Sequence, residues 1–261
     1  DTNVELVIDG ALWAVGTADS PILFTANKTI KTKGHWKWIK FRDSSIDNEC
    51  RLSYCKIEYG TQGIIADYAS PLISNCEIEN HSQYGIYLYQ SSNFLITDNI
   101  IKNNNSIGIY LNSNLTGGTI SNCLIENNNS WGIQLESPGS VDGPNNILIQ
   151  NNIIRNNQYG IFMQSYWSNR TMSATVENNI IENNNTTNLG IGIQVNYGSV
   201  TIRNNQINKF KQYGIYTLQR TVTIENNTID TGTDFGIYIN GSAGNIRQNT
   251  IRNCGTGIFN N

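Results

Sequence analysis

The side chains that could carry chemistry are few. Two histidines, His35 and His81, and two methionines, Met163 and Met172, stand without metal-ligand spacing. So few histidines support no Ser-His-Asp arrangement. Five cysteines (Cys50, Cys55, Cys76, Cys123 and Cys254) form no CxxC pair, and an odd count fits a disulfide framework poorly. The catalytic candidates are Glu136, Asp142, Arg170 and Arg220. Glu136 leads into the segment SPGSVDGPNN, which holds Asp142. Gln164 leads into SYWSNRTMS, which holds Tyr166, Trp167 and Arg170. Two neighbouring loops could bring Glu136, Asp142 and Arg170 into one acid-plus-base cluster. Calcium needs several acids close together. Asp67, Glu136 and Arg220 fall on distant repeats, so no metal site is assigned.

A larger set suits binding. Tyr87, Tyr110, Gln134, Phe162, Gln194, Tyr216, Tyr238 and Phe259 each follow a Gly-Ile pair. Two residues further on stand Tyr89, Asn112, Glu136, Gln164, Asn196, Leu218 and Asn240, and just before the glycines Tyr84, Trp131, Tyr159, Tyr213 and Phe235. Aromatic faces suit the C–H faces of sugar rings, and neighbouring amides and acids can hydrogen-bond hydroxyls. The expected ligand contacts are Tyr87, Tyr110, Trp131, Gln134, Glu136, Phe162, Gln164, Tyr166, Trp167, Arg170, Gln194, Tyr216 and Tyr238. Trp167 and Arg170 lead that set, because loops on a rigid scaffold concentrate binding residues. The same pattern has two other readings. Aromatics stack well as cross-strand ladders in any sheet, and an exposed apolar strip can mark a subunit interface.

Positioning these residues requires a repeating element. Gly-Ile pairs recur from Gly63-Ile64 to Gly257-Ile258 at intervals of 21 to 32 residues. Between them recurs a block reading SNCEIEN from Ser74, TDNIIKN from Thr97, SNCLIEN from Ser121 and ENNIIEN from Glu177. The period is too short for a propeller blade, and the 3.6-residue apolar rhythm of helical repeats is absent. Three short strands joined by tight turns fit one coil of a parallel β-helix, with coils stacked about 4.8 Å apart. The expected fold is therefore all-β: a right-handed parallel β-helix, or solenoid, of about ten coils.

Stacking turns each block position into a column. The third position (Cys55, Cys76, Asn99, Cys123, Asn152, Asn179, Asn205, Asn227, Asn249) is expected inside, as an asparagine ladder with cysteine filling the same small slot. A Cys55–Cys76 bridge is the minor alternative. The fifth position, from Ile57 to Ile251, is an isoleucine core. The outward columns Glu79, Lys102, Glu126, Arg155, Glu182 and Glu177, Arg203, Glu225, Arg247 alternate in sign, as register and solubility devices.

Composition narrows the partners. The net charge is -3 and 14% of residues are charged, with no basic stripe for nucleic acid. No apolar run is long enough for a membrane span. No signal peptide is present, and the chain reads as a mature protein or an excised unit. It is expected to form one β-helix domain over 1–261, with first coils over 1–41, regular repeats over 42–261, and insertions near 137–147 and 165–174. N-x-S/T sequons are frequent, at Asn80, Asn104, Asn128, Asn184 and elsewhere.

The opening residues Gly16, Thr17, Pro21, Ile22, Phe24, Thr25, Trp36, Ile39 and Phe41 match the first coils of many secreted β-helix proteins, although Trp38 stands where those often have glycine. Nearly the whole chain resembles the right-handed parallel β-helix repeat superfamily, with its pectate-lyase-like and surface proteins. The resemblance implies the fold, and a sugar groove along the outer side of one sheet. It also includes a periplasmic copper-enzyme maturation factor, whose metal role the two histidines do not support. Lyases of this fold use an arginine or lysine base, usually with calcium; hydrolases need paired carboxylates. The reading is an extracellular or cell-surface module that binds a polysaccharide, without a cofactor. Its alternatives are a lyase or hydrolase acting near Glu136 and Arg170, with calcium if a lyase, and a structural protein that associates end to end or laterally.

Overall fold

The computed structural model describes residues 3–137, 142–166, 172–184 and 189–261. The chain winds into a right-handed parallel β-helix of about ten coils, and every strand pairing between coils is parallel. Each coil contributes to three sheets. Sheet A begins with Leu6–Ile8 and Ile39–Phe41 and carries the Gly-Ile strands, such as Ile86–Tyr89, Ile109–Asn112 and Trp131–Ser137. Sheet B runs from Trp13–Val15 through strands such as Thr116–Ser121, and sheet C from Ile22–Phe24 through strands such as Leu124–Glu126. Near the C-terminal end, Tyr213–Glu225 and Thr228–Arg247 continue as strand around the corners between sheets.

The core is a set of stacked aliphatic columns. Ile86, Ile109, Ile133 and Ile161 line the inside of sheet A, Ile96, Ile120 and Ile149 that of sheet B, and Ile101, Ile125 and Ile154 that of sheet C; all are fully buried. Their side chains alternate with outward ones along each strand, and equivalent residues stack in register. The glycine of each Gly-Ile pair makes this stacking possible. A Cβ on Gly108 would lie 2.6 Å from the carbonyl oxygen of Gly132 and 2.8 Å from Ile125 Cγ2. Only glycine lets the coils close up around the sheet C isoleucine.

Asparagine does two jobs at two of the three corners of a coil, those between sheets B and C and between C and A. One residue per corner takes a positive φ: Asn122, Asn151, Asn178 and Asn204 between sheets B and C, and Asn103, Asn127, Asn156 and Asn183 between C and A. Asparagine tolerates this left-handed conformation better than other side chains with a Cβ. The next residue points inward. Asn152 Oδ1 accepts from the Cys123 amide at 2.9 Å, while Asn152 Nδ2 donates to Ile120 O at 3.0 Å and to Asn179 Oδ1 at 3.0 Å. Asn179 repeats these bonds to Asn205, and Asn205 to Asn227. A second inward file at the other corner comprises Asn104, Asn128, Asn157 and Asn184. Asn104, Asn128 and Asn184 are buried, which removes three of the sequons as acceptors in the folded chain.

His81 heads that second file and copies an asparagine. Its Nδ1 accepts from the Gly60 amide at 3.0 Å, and its Nε2 lies 3.1 Å from Ile57 O. This assigns the neutral ring with the proton on Nε2. Complete burial lowers its pKa from 6.5 to about 4, against the weaker upward pull of the two backbone bonds. The five cysteines are free thiols. Cys76 and Cys123 Sγ each donate to a carbonyl two residues back, of Ser74 and Ser121, at 3.2 Å.

The outward columns carry their ion pairs between coils: Arg155 with Glu126 at 2.8 Å, Arg203 with Glu177 at 2.6 Å and Arg247 with Glu225 at 2.6 Å. Like charges meet where Glu58 and Glu79 are stacked neighbours. Lys56, one column over, lies 2.8 Å from Glu79, 3.6 Å from Glu58 and 3.4 Å from Glu77. Burial works against the charge on Glu58, but the Thr25 hydroxyl and the Lys31 ammonium hold its carboxyl below the usual range.

Candidate binding face

The outer side of sheet A brings most of the sequence-predicted contacts into one surface. Tyr87, Tyr110, Gln134, Phe162, Gln194, Tyr216, Tyr238 and Phe259 stack in strict register along the solenoid. Beside them runs a second column, Tyr89, Asn112, Glu136, Gln164, Asn196, Leu218 and Asn240, equally aligned. Trp131 pairs with Tyr159, and Tyr213 with Phe235, on the other flank. The rows follow from the period-2 alternation of the strands and the uniform stacking of the coils.

Apart from Tyr89, which packs edge-on against Tyr68 at 5.6 Å, the aromatic rings form three groups. Tyr84, Tyr87 and Tyr110 lie with centroids 5.2 to 5.8 Å apart. Trp131 packs on Tyr159 at 4.5 Å and stacks on Phe162 at 4.9 Å. Tyr213, Tyr216, Phe235, Tyr238 and Phe259 make the third group, with Tyr216 and Tyr238 stacked at 5.5 Å. Such contacts stabilise the sheet by roughly 0.5–1.5 kcal/mol per pair. They also fix the ring orientations. The amides of Gln134 and Gln194 interrupt the aromatic column between groups.

Glu136 is the polar centre of the face. It is 8% exposed. Tyr110 Oη donates to its Oε2 at 2.5 Å, Gln134 Nε2 donates to the same oxygen at 3.0 Å, and the Tyr166 hydroxyl donates to Oε1. Burial, and then the bond to Glu136, push the Tyr110 phenol far above its ordinary range. The bond to Glu136 pushes Tyr166 up to about 12, with burial adding to it. Both phenols therefore stay protonated donors at ordinary pH. Further along the column, Asn112 Nδ2 donates to Tyr87 Oη at 3.2 Å, Asn196 Nδ2 to Gln164 Oε1 at 3.2 Å, and Gln194 Nε2 to Asn196 Oδ1 at 3.2 Å.

The remaining predicted residues fall elsewhere. Trp167 and Arg170 lie outside the described residues. Asp142 is half-buried in the first insertion. Arg220 pairs in register with Ser242, on the strand whose Leu218 stands three coils from Glu136. Asp67 is engaged by Lys40 Nζ at 2.7 Å. Met163 and Met172 belong to the core. Among the described residues, no three or more His, Cys, Asp or Glu side chains gather as a metal group, and no helix is long and apolar enough to cross a membrane. A separate cavity of about 660 Å³ opens at the first coils, between Val4, Leu23, Phe24, His35 and Trp36, away from the aromatic face. The bond from Tyr166 to Glu136 was not individually legible in the sequence. Its only signal is that the second insertion leaves sheet A one coil above Glu136.

The family described as right handed beta helix region matches residues 38–166 and 140–261, and the chain belongs to that family. No curated protein matches it in sequence. Among solved structures, a double mutant of the periplasmic alginate epimerase AlgG is similar at 14% identity and a TM-score of 0.65, over 82% of this chain and 50% of that one. The chain thus spans half the length of that epimerase. The pectate lyase Pel9A is similar at 14% identity and a TM-score of 0.59, over 90% of this chain and 68% of that one. The A-module of the Azotobacter vinelandii mannuronan C-5 epimerase AlgE4 is similar at 16% identity and a TM-score of 0.58, over 98% and 88%. At these identities the likeness is one of fold.

Proposed function

We propose that the chain is an extracellular polysaccharide-binding unit, working as one β-helix over 1–261 and using the outer face of sheet A. The observation that carries this reading is the pairing of an aromatic column with a polar column in unbroken register from Tyr87 to Tyr238. Rings held by one another lose little freedom when a sugar packs on them, and the adjacent amides and Glu136 meet its hydroxyls. The similar solved structures are named for action on alginate, pectate and mannuronan, and one is periplasmic, which supports a saccharide outside the cytoplasm.

Native gels cast with a panel of polysaccharides test this. At least one should retard the protein, and Trp131→Ala and Tyr216→Ala should each weaken that retention roughly fivefold without lowering the melting temperature by more than a few degrees. Unchanged migration in every gel sinks the reading. Self-association on the same strip would then be sought by sedimentation.

One observation favours a second use of the face. Glu136 receives both the Tyr110 and Tyr166 phenols beside the insertion that holds Asp142. Clearing of the polysaccharide around the band, abolished in Glu136→Gln, would make the unit an enzyme.

A further inference from the structure

The charge on sheet A points to a particular class of saccharide. From the coil of Tyr84 to that of Phe259, the flanking column reads Tyr84, Ile107, Trp131, Tyr159, Ile191, Tyr213, Phe235 and Thr256. With the two columns beside it, these positions hold a single charged residue, Glu136. It is acidic, 8% exposed, and accepts hydrogen bonds from three uncharged donors, Tyr110, Tyr166 and Gln134. Three cations beside the early coils are paired with acids: Lys40 sits on Asp67 at 2.7 Å, and Lys56 and Lys102 serve the sheet C glutamates.

A polyuronate carries one negative charge per sugar. Laid along these columns, it would meet no cation within them and would face the Glu136 carboxylate, whose repulsion is strengthened by low local dielectric. A neutral polysaccharide offers the opposite match, with C–H faces for the rings and hydroxyls for Asn112, Glu136, Gln164 and Asn196.

We infer that the sheet A face takes a neutral, hydroxyl-bearing polysaccharide and discriminates against polyuronates, with Glu136 setting that preference. This rests on the binding reading above and narrows it. It also separates the chain from the alginate, pectate and mannuronan of the named neighbours, whose likeness is one of fold.

The test compares binding to neutral glucans and galactomannan with binding to polygalacturonate and alginate, in affinity gels at low and high salt. Retention by a neutral polymer that does not weaken with salt, and none by the polyuronates, is the expected result. Retention by polyuronates that is lost in high salt overturns the inference and leaves the binding reading standing. No retention by any polymer removes both. Glu136→Gln adds a second measurement: the ratio of polyuronate to neutral binding should rise about fivefold or more as the repelling charge disappears. An unchanged ratio in a variant with the wild-type melting temperature takes the selecting role away from Glu136.

Discussion

At the scale of single residues, His81 shows how a side chain can stand in for another without resembling it. It heads a file that reads asparagine from Asn104 onward. The hydrogen bonds explain the exchange. Nδ1 does the work of an amide oxygen and Nε2–H that of an amide nitrogen, so a neutral ring satisfies Gly60 and Ile57 as an asparagine would. The difference is that imidazole titrates. Its folded pKa, about 4, lies below the unfolded value of 6.5. The unfolded chain therefore binds a proton that the folded chain refuses. This contribution to stability is complete above pH 6.5 and is lost as pH falls toward 4, amounting to about 3 kcal/mol. His81→Asn should fold, and its urea midpoint should fall less than that of the wild type between these two pH values. Parallel acid loss in both proteins would show that His81 is not the group responsible. Glu136 was legible as a polar residue on the right face. Its bond from Tyr166 was not, because that residue arrives from an insertion with no periodicity to read.

At the scale of the element, the repeat told almost everything about the strands and little about the corners. Period-2 alternation and recurring Gly-Ile pairs suffice to sort inward from outward residues, and the register follows from stacking. Asparagine abundance alone does not say that two consecutive asparagines have different duties. Asn151 takes a φ of 56° and is exposed, whereas Asn152 is buried and bonded to three neighbours. Substitutions separate the two. Asn151→Gly replaces one residue suited to the left-handed region by another and should change stability by less than about 1 kcal/mol. Asn152→Ala leaves the buried Cys123 amide without its acceptor and Ile120 O without its donor, and should cost about 3 kcal/mol. Equilibrium urea unfolding with an unchanged slope would measure both. Equal losses would mean that the corner geometry, and not amide pairing, is what asparagine supplies.

At the scale of the whole molecule, the solenoid makes a long surface from short pieces. No coil carries a complete site. The rings and amides are shared unevenly, with three rings on the coil of Tyr84, Tyr87 and Tyr89 and only amides on that of Gln194 and Asn196, and the face exists only because the register holds from coil to coil. Tyr87 and Tyr238 are six coils apart in the same column, a span of about 29 Å. A single strand such as Ile86–Tyr89 offers roughly 13 Å. A saccharide lying along the solenoid would thus gain contacts with each added sugar until it covers the longer distance. One lying along a strand would stop gaining after the shorter one. Calorimetric titration with a graded series of oligosaccharides, cut from whichever polymer retards the protein, should show affinity climbing until the ligand reaches the longer span. Tyr87→Ala and Tyr238→Ala should then weaken a long ligand additively, since the two rings are too far apart to couple. A short ligand fits at one end or the other, so the loss of either ring alone should hardly affect it. A plateau at the shorter length would turn the ligand across the coils and confine its contacts to one rung of the face.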